Sequence, residues 1–284
     1  MRVLVTNDDG VQAEGLRVLA QAVHDEGHEV VIAAPAHDVS GSGTSLGTFV
    51  DGEVIRTGTA RLDGMEDIET HWVDAPPAFA VLAACMGRFG APPDVVLSGI
   101  NPGYNTGRFI LFSSTVGAAL TASMAGRRAL AVSCGDLPHA RFDSAAAVAR
   151  SALRWLIEHA EERTVLNVNV PDLDTSAIRG VRFAPLGPVS TVGLTLDPVD
   201  DGLRLGRFPN LERAAEPRYS ETDAGLVTAG YVAVTGMTGG ARELRDSRVD
   251  AVVDSMARDL SAPNPGPEIG APRFATRPVS VRRT

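Results

Sequence analysis

The chain has 284 residues, a formal net charge of −9, and 44% hydrophobic against 21% charged residues. This is the composition of a folded globular protein with enough apolar material for one large core. The acidic balance excludes a general binder of nucleic acid polymers, because such a surface must be basic to neutralise phosphates. All 26 basic residues are arginine, which excludes lysine-dependent chemistry such as a P-loop or a Schiff base.

Neither a membrane span nor a disulfide framework is expected. No apolar run approaches the roughly 18 residues that a spanning helix needs, and a strand-like run begins directly after Met1. We therefore expect a cytoplasmic protein without a membrane partner. Cys85 and Cys134 lie in apolar runs and form no C-x-x-C pair, which favours free thiols over a disulfide or a zinc site.

Strand-like and helix-like segments alternate along the first part of the chain. The strand candidates are β-branched runs at residues 2–6, 29–34, 69–73, 94–98, 129–134 and 164–169. Between them, apolar residues recur at the three- and four-residue spacing of amphipathic helices, at residues 13–26, 76–88, 115–125 and 143–161. Asp143 is the expected N-cap of the last helix. This alternation predicts an α/β fold built on a mostly parallel sheet.

Three regions of different character follow from the pattern. Residues 1–178 form the predicted catalytic core. Over residues 179–238 the helix signal fades and Gly, Pro and Asp-Gly turns separate short strand-like pieces, which predicts a β-rich arm that returns to the core. Residues 239–284 are rich in Arg and Pro and poor in large apolar groups, which is typical of a C-terminal tail.

Three polar, glycine-rich loops, at residues 7–10, 35–47 and 99–107, follow strand candidates. In a parallel α/β sheet, ligands bind beyond the carboxyl ends of the strands, where the strand order reverses. The adjacent carboxylates Asp8 and Asp9 repel each other unless a cation lies between them or one is protonated. Oxygen ligands of this kind suit Mg²⁺, Mn²⁺ or Ca²⁺. The same residues would also make an ordinary turn, and the sequence leaves both readings open.

Two further segments offer groups to an anion. The glycine-rich residues 40–43 present backbone N–H groups and hydroxyls, although such a loop also serves as a flexible connection. Ser113, Ser114 and Thr115 open a predicted helix, whose N-terminus suits a phosphate but whose hydroxyls suit an ordinary N-cap equally well. Together with the carboxylates, these segments favour a cation next to a phosphate.

In these motifs and their order, the chain resembles the SurE family of stationary-phase survival proteins, which are 5′/3′-nucleotidases. The resemblance runs in order along the chain, at residues 3–10 (VLVTNDDG), 40–43 (SGSG), 94–101 (DVVLSGIN), 114–119 (STVGAA), 166–171 (LNVNVP), 222–223 (TD) and 229–235 (AGYVAVT). It implies a Rossmann-like three-layer sandwich with a mostly parallel sheet, a β-rich hairpin extension and a C-terminal tail. It also implies hydrolysis of a nucleoside monophosphate or similar small phosphomonoester, and a homodimer or homotetramer.

The family's site residues carry over by position. The resemblance implies one divalent metal ion per subunit, Mn²⁺ or Mg²⁺, on Asp8, Asp9, Ser40 and Asn101, with Asp8 and Asp9 also catalytic. We expect the phosphate or substrate to contact Asn7, Gly41, Asn105, Ser113, Ser114 and Thr115. Asp223 is either structural or supports the site from behind.

Two departures from the family pattern keep other functions open. Pro102 stands where the family usually has His, and Ser114 stands where it usually has Gly. The alternatives are a SurE-like phosphatase for a non-nucleotide metabolite and a metal- or nucleotide-binding protein whose catalysis has decayed. A covalent aspartyl-phosphate phosphatase or a phosphate-receiver domain is disfavoured, because the carboxylates are adjacent and lysine is absent.

Overall fold

The structure is a computed structural model that describes residues 1–48, 50–136, 138 and 140–239. The tail predicted at residues 239–284 therefore lies, except for Gly239, outside the described residues. The strands are β1 (Arg2–Thr6), β2 (Glu29–Pro35), β3 (Thr57–Thr59), β4 (Glu69–Val73), β5 (Val95–Pro102), β6 (Arg128–Cys134), β7 (Thr164–Asn169), β8 (Val181–Phe183), β9 (Val192–Val199), β10 (Gly202–Pro209) and β11 (Val232–Thr238). The α-helices are α1 (Glu14–His24), α2 (Pro77–Cys85), α3 (Ser114–Met124), α4 (Phe142–His159), α5 (Leu211–Ala214) and α6 (Asp223–Thr228).

Nine of these strands form one sheet in the order β3-β4-β2-β1-β5-β6-β7-β11-β8. The six strands from β4 to β7 in this order are parallel. At the two ends, β3 pairs antiparallel with β4 and β11 pairs antiparallel with β7. The mostly parallel sheet predicted from the sequence is confirmed.

The central strands are buried on both faces, which explains why they read as continuous apolar runs. Val3 and Val5 of β1 point into a core cluster with residues of α1 and α4, whereas Leu4 points into a second cluster with residues of α2 and α3. Helices therefore cover both faces of the sheet, and the predicted three-layer, Rossmann-like α/β fold is confirmed. Cys134 is buried, Cys85 is half-buried, and both are free thiols as predicted.

Some details differ from the sequence predictions. The Asp143 N-cap prediction is wrong: α4 begins one residue earlier, at Phe142, and Asp143 lies in its first turn. Arg141 is the N-cap residue, and Phe142 is buried in the core. The edge strand β3 and the short helices α5 and α6 were not predicted.

The hairpin β9–β10 forms a separate two-stranded antiparallel sheet. The extra hairpin predicted within residues 179–238 is therefore present, while β8 and β11 from the same region complete the main sheet. The domain boundaries themselves stay a prediction. Among the described residues, no helix has the length and apolar composition needed to cross a membrane.

Candidate active site

The strand order reverses next to β1. From β1 the chain proceeds to β2 and β4 on one side, then returns to β5 on the other side and continues to β6 and β7. The carboxyl ends of β1 and β5 therefore form the crevice in which such sheets bind ligands. The loop after β2 joins this crevice, because Val39 N donates to Asp8 O at 2.9 Å. Two of the three predicted polar loops thus meet at β1, and Asn101 lies in the neighbouring strand β5.

Asp8 is the most enclosed acidic residue of the crevice, with 3% of its surface exposed. Thr115 Oγ1 donates to Asp8 Oδ1 at 2.6 Å, which brings the first turn of α3 against the end of β1. Burial raises the pKa of Asp8, and the hydrogen bond from Thr115 partly opposes this rise. Asp8 is therefore held in one orientation and gains from a cation that offsets its desolvation.

The carboxylate of Asp9 is the group of the crevice that a cation would stabilise most. Its Oδ2 is buried and has no hydrogen-bond partner among the described residues. Burial, followed by repulsion from Asp8 and Asp38, raises the pKa of Asp9 to about 7. A divalent ion would relieve both the lost hydration and the repulsion.

Asp38 is a third acidic group near this pair, and sequence reasoning missed it. It raises the pKa of both Asp8 and Asp9 by charge repulsion, and its Oδ1 accepts from Ser40 N at 2.8 Å. It therefore orients the backbone at Ser40, a predicted metal ligand. The available signal was an acidic residue two positions before Ser40 in a loop beyond a strand end.

The loop that carries Ser40 is pinned to the start of α3. Ser114 Oγ lies 2.9 Å from both Ser42 N and Ser42 Oγ, and it donates to Val39 O at 3.3 Å. Ser114 is fully buried, so its hydroxyl serves the loop, and the change from the family's usual Gly has a structural use. Ser40 and Gly41 themselves are exposed to solvent.

The N-terminus of α3 has the N-cap that the sequence suggested, and it also presents N–H groups that could bind an anion. Ser113 is the N-cap, and its Oγ accepts from Val116 N at 3.1 Å. The first N–H groups of a helix, here those of Ser114 and Thr115, have no intrahelical acceptor and can bind an anion. The hydroxyls of Ser114 and Thr115 donate to Val39 O and Asp8 Oδ1, so phosphate contact at these two residues would come from the backbone. Ser113 Oγ only accepts among the described residues, and its O–H can still donate to an anion.

The side chains of Asn101, near the end of β5, and of Asn105, in the loop after it, are oriented by hydrogen bonds. Asn101 Nδ2 donates to Gly103 O at 2.6 Å, which leaves its Oδ1 as the atom for a cation. Asn105 Nδ2 donates to Ser133 Oγ at 2.8 Å. A carboxamide has two N–H groups, and Asn105 Nδ2 has no other acceptor among the described residues, so its second N–H is available to a ligand.

Two buried asparagines of β7 hold Asn105, and neither was predicted as a site residue. Asn169 Oδ1 accepts from Asn105 N at 2.8 Å, while Nδ2 of both Asn167 and Asn169 donates to Asn105 O at 2.9 Å. The sequence signal was a pair of asparagines at alternate positions of an otherwise apolar strand.

Unpartnered polar atoms concentrate at this end of the sheet. Asn7 is fully buried, and its Nδ2 donates to Gly10 O at 3.0 Å while its Oδ1 has no partner within the described part of the chain. Seven buried side-chain atoms lack a partner there. Five of them lie in the residues after β1 or level with its last residue on β1, β5 and β7: Thr6 Oγ1, Asn7 Oδ1, Asp9 Oδ2, Ser98 Oγ and Asn167 Oδ1. Such atoms are rare in native proteins and indicate a partner other than the protein, namely a ligand, an ion or ordered water.

A hard divalent cation fits this set of oxygens. No cluster of three or more His, Cys, Asp or Glu that could hold a metal occurs among the described residues. A cation at Asp8 and Asp9 would therefore take its other protein ligands from neutral oxygens such as those of Ser40 and Asn101, as Mg²⁺ and Mn²⁺ do.

The fold and the crevice define a class: a Rossmann-like α/β protein with a carboxylate site and a helix N-terminus at the switch point of its sheet. Residues 3–191 match the family described as Survival protein SurE. The chain belongs to the SurE family, and the resemblance seen in the sequence is confirmed.

Relatives and a solved structure agree with this assignment. The 5′-nucleotidase SurE of Xanthomonas oryzae pv. oryzae (strain PXO99A) is 40% identical over 190 residues, which cover 66% of this chain and 70% of that protein. The 5′-nucleotidase SurE of Xanthomonas campestris pv. campestris (strain B100) matches with the same identity and coverage. The crystal structure of SurE from Aquifex aeolicus superposes with a TM-score of 0.71 at 28% identity, covering 90% of this chain and 100% of that one.

Proposed function

We propose that the protein is a divalent-metal-dependent phosphomonoesterase that hydrolyses nucleoside 5′- and 3′-monophosphates to nucleoside and phosphate. The observation that carries this proposal is the pair of adjacent carboxylates at the end of β1: Asp8 is buried next to the N-terminus of α3, and Asp9 is half-buried with one buried, unpartnered oxygen. The name of the Xanthomonas relatives, 5′-nucleotidase, supports a nucleoside monophosphate as the substrate. The cytoplasm stays the predicted location.

Each group of the crevice then has a task in the reaction. Asp8, Asp9, Ser40 and Asn101 would hold one Mn²⁺ or Mg²⁺, which supplies positive charge to the phosphoryl oxygens and lowers the pKa of a bound water. Asp8, fixed by Thr115, orients the attacking water and accepts its proton. The backbone N–H groups of Ser114 and Thr115 bind the phosphoryl oxygens.

The remaining predicted contacts complete the substrate pocket. The free N–H of Asn105 faces the phosphoryl group, and the exposed Gly41, with a φ of +88°, lets the backbone of the Ser40 loop approach the substrate without a Cβ in the way. Asn7 supports the end of β1 through its bond to Gly10 O. Ser113 binds a phosphoryl oxygen through its O–H, and Ser114, besides its backbone N–H, holds the Ser40 loop through its hydroxyl.

A homodimer or homotetramer is part of the proposal, and the hairpin supports it. In the β9–β10 register, Leu196 lies opposite Leu205 and Pro198 lies opposite Leu203. Opposed residues share a face, so one face of the hairpin is apolar, with Leu196, Leu203 and Leu205 each more than 60% exposed. Such a face is typical of a subunit interface.

The test is phosphate release from a panel of nucleoside 5′- and 3′-monophosphates, an aryl phosphate and a sugar phosphate, with Mn²⁺, Mg²⁺ or EDTA. We expect cation-dependent release that falls about 100-fold or more in Asp9→Asn. The control is Asp67→Asn, which neutralises an exposed carboxylate elsewhere and should keep wild-type activity.

The panel also separates the competing functions. Preference for the sugar or aryl phosphate over every nucleotide would favour a phosphatase of another metabolite. A folded wild-type protein that binds Mn²⁺ and nucleotide but releases no phosphate would favour the binding protein instead.

A further inference from the structure

The loop that carries Asn105 is attached to the segment that leads into the hairpin. We call residues 105–107 the substrate loop and residues 187–191 the arm root. The arm root ends where β9 begins, and Asn210, which follows β10, closes it by donating from N to Thr191 O at 2.7 Å and from Nδ2 to Ser190 O at 2.8 Å. The residue that follows the hairpin is thus hydrogen-bonded to the segment that precedes it.

Thr106 makes the central contact between the two segments. It is fully buried, and its Oγ1 accepts from Thr191 N at 3.1 Å. The same oxygen lies 3.0 Å from Thr191 Oγ1 and 3.3 Å from Ser190 Oγ. One hydroxyl of the substrate loop therefore engages two consecutive residues of the arm root.

Gly107 makes a second, backbone-level contact. A Cβ at this position would lie 2.4 Å from Val189 O, so only glycine permits the approach. Gly107 N donates to Asp223 Oδ2 at 2.6 Å, and the other oxygen of this fully buried carboxylate accepts from Gly187 N at 3.0 Å. Asp223 thereby bridges the substrate loop and the arm root, which answers the question the sequence left about its role.

Asn105 is fixed from the opposite side. Asn169 holds both its N–H and its C=O, and Asn167 holds the C=O as well. The substrate loop is therefore held between β7 and the arm root, with few ways to move while these contacts persist.

We propose that Thr106 is a positioning residue, which holds the substrate loop on the arm root so that the free N–H of Asn105 meets the phosphoryl group. This proposal rests on the proposed function, and it adds the arm root to the substrate site. Thr106 touches neither substrate nor cation. Its effect passes through Asn105.

The test compares steady-state kinetics of Thr106→Val, which keeps the shape of the side chain and removes the hydroxyl, with Thr106→Ser, which restores the hydroxyl. For a nucleoside monophosphate we expect Thr106→Val to raise KM about 5- to 20-fold with kcat within about twofold, because binding and not chemistry is weakened. Inhibition by inorganic phosphate should weaken by a similar factor, and Thr106→Ser should restore most of the wild-type KM.

Two controls distinguish positioning from a general loss of stability. Thr70→Val removes another buried threonine hydroxyl, bonded to Ile68 O at 3.1 Å in β4, and should leave KM unchanged. In an Asn105→Ala background, Thr106→Val should add little, because the residue through which it acts is gone. If Thr106→Val folds poorly, Thr191→Val removes the partner hydroxyl on the arm root and should raise KM in the same way.

The outcomes separate this proposal from the proposed function. An active wild type whose KM is insensitive to Thr106→Val and Thr191→Val overturns the positioning role alone. Effects of Thr106→Val and Asn105→Ala that simply add would also overturn it. A wild type that releases no phosphate from any nucleotide with any cation overturns the proposed function first.

Discussion

At Asp9, burial and two neighbouring carboxylates all favour the protonated form, and the pKa of about 7 lies far above the usual value of 3.8. Between these two values the folded protein keeps a proton that the unfolded chain has released. The stability of the metal-free protein must then fall as the pH rises from about 4 to about 7, and level off above. A cation that binds the ionised form competes with this proton, so its affinity rises over the same interval.

This gives a prediction for the metal-free protein. In EDTA, the melting temperature should fall between about pH 4 and about pH 7, and the fall should be smaller in Asp9→Asn because Asn does not titrate. Adding Mn²⁺ should raise the melting temperature more at the higher pH. Thermal unfolding at several pH values measures both effects; Asp67→Asn should reproduce the wild-type slope, and an equal slope in Asp9→Asn would contradict the prediction.

The position of a site residue was predictable from the sequence where it depended only on the neighbouring strand or helix. Asp8 and Asp9 stand directly after a strand, so their position at the sheet edge followed from the strand itself. Asn167 and Asn169 were not predictable as support for Asn105, because their contacts join segments more than 60 residues apart. The same holds for Asp223, whose two acceptor bonds depend on where the arm root returns to the core.

At the level of elements, α3 and the Ser40 loop form one unit because their backbones nearly touch. A Cβ at Gly117 of α3 would lie 2.2 Å from Gly43 O, a backbone atom that cannot turn aside. Because residue 117 is glycine, the Ser40 loop can lie close enough to α3 for Ser114 to bond to it.

We predict that Gly117→Ala destabilises the protein by about 1–3 kcal/mol, since the helix and the loop must separate. It should also weaken cation binding, because the loop carries Ser40. Gly236→Ala in β11 is the matched control, as a Cβ there meets no atom within 4 Å. Chemical denaturation and Mn²⁺ titration of both variants provide the measurement, and unchanged Mn²⁺ affinity in Gly117→Ala would speak against Ser40 as a ligand.

The longer helices and strands were predictable from the sequence, whereas the shortest ones were not. The six parallel strands follow from β-branched apolar runs and the four longer helices from apolar periodicity, both of which a sequence displays directly. Strand β3 has only three residues, Thr57–Thr59, none of them buried, so it leaves no such pattern. The short helix α6 is buried over most of its length and lacks the polar face that makes a helix recognisable.

On the scale of the whole molecule, the two faces of the hairpin are chemically different. Leu196 and Leu205 lie on the apolar face, whereas Asp197 and Arg204 are opposed on the other. The apolar leucines are exposed within the single chain, so an assembly through this face would bury surface that the fold leaves open.

We predict that Leu196→Glu dissociates this assembly, because it places a charge at the centre of the apolar face. A loss of about 2–4 kcal/mol corresponds to a dissociation constant raised about 30-fold or more. Thr195→Glu introduces the same charge on the opposite face and should leave the mass unchanged. Light scattering coupled to size-exclusion chromatography gives the masses; a wild type that is monomeric at all concentrations would refute the assembly itself.

The place of β11 in the sheet has a consequence for synthesis on the ribosome. Strand β11 lies between β7 and β8, although it follows both in the chain, so β7 keeps an open edge until Val232 and its successors have been made. At about 5–20 residues per second this interval lasts roughly 3–13 seconds. During that time the unpaired edge of β7 is available to pair with strands of other chains. A chain truncated within this stretch would keep that edge of β7 unpaired.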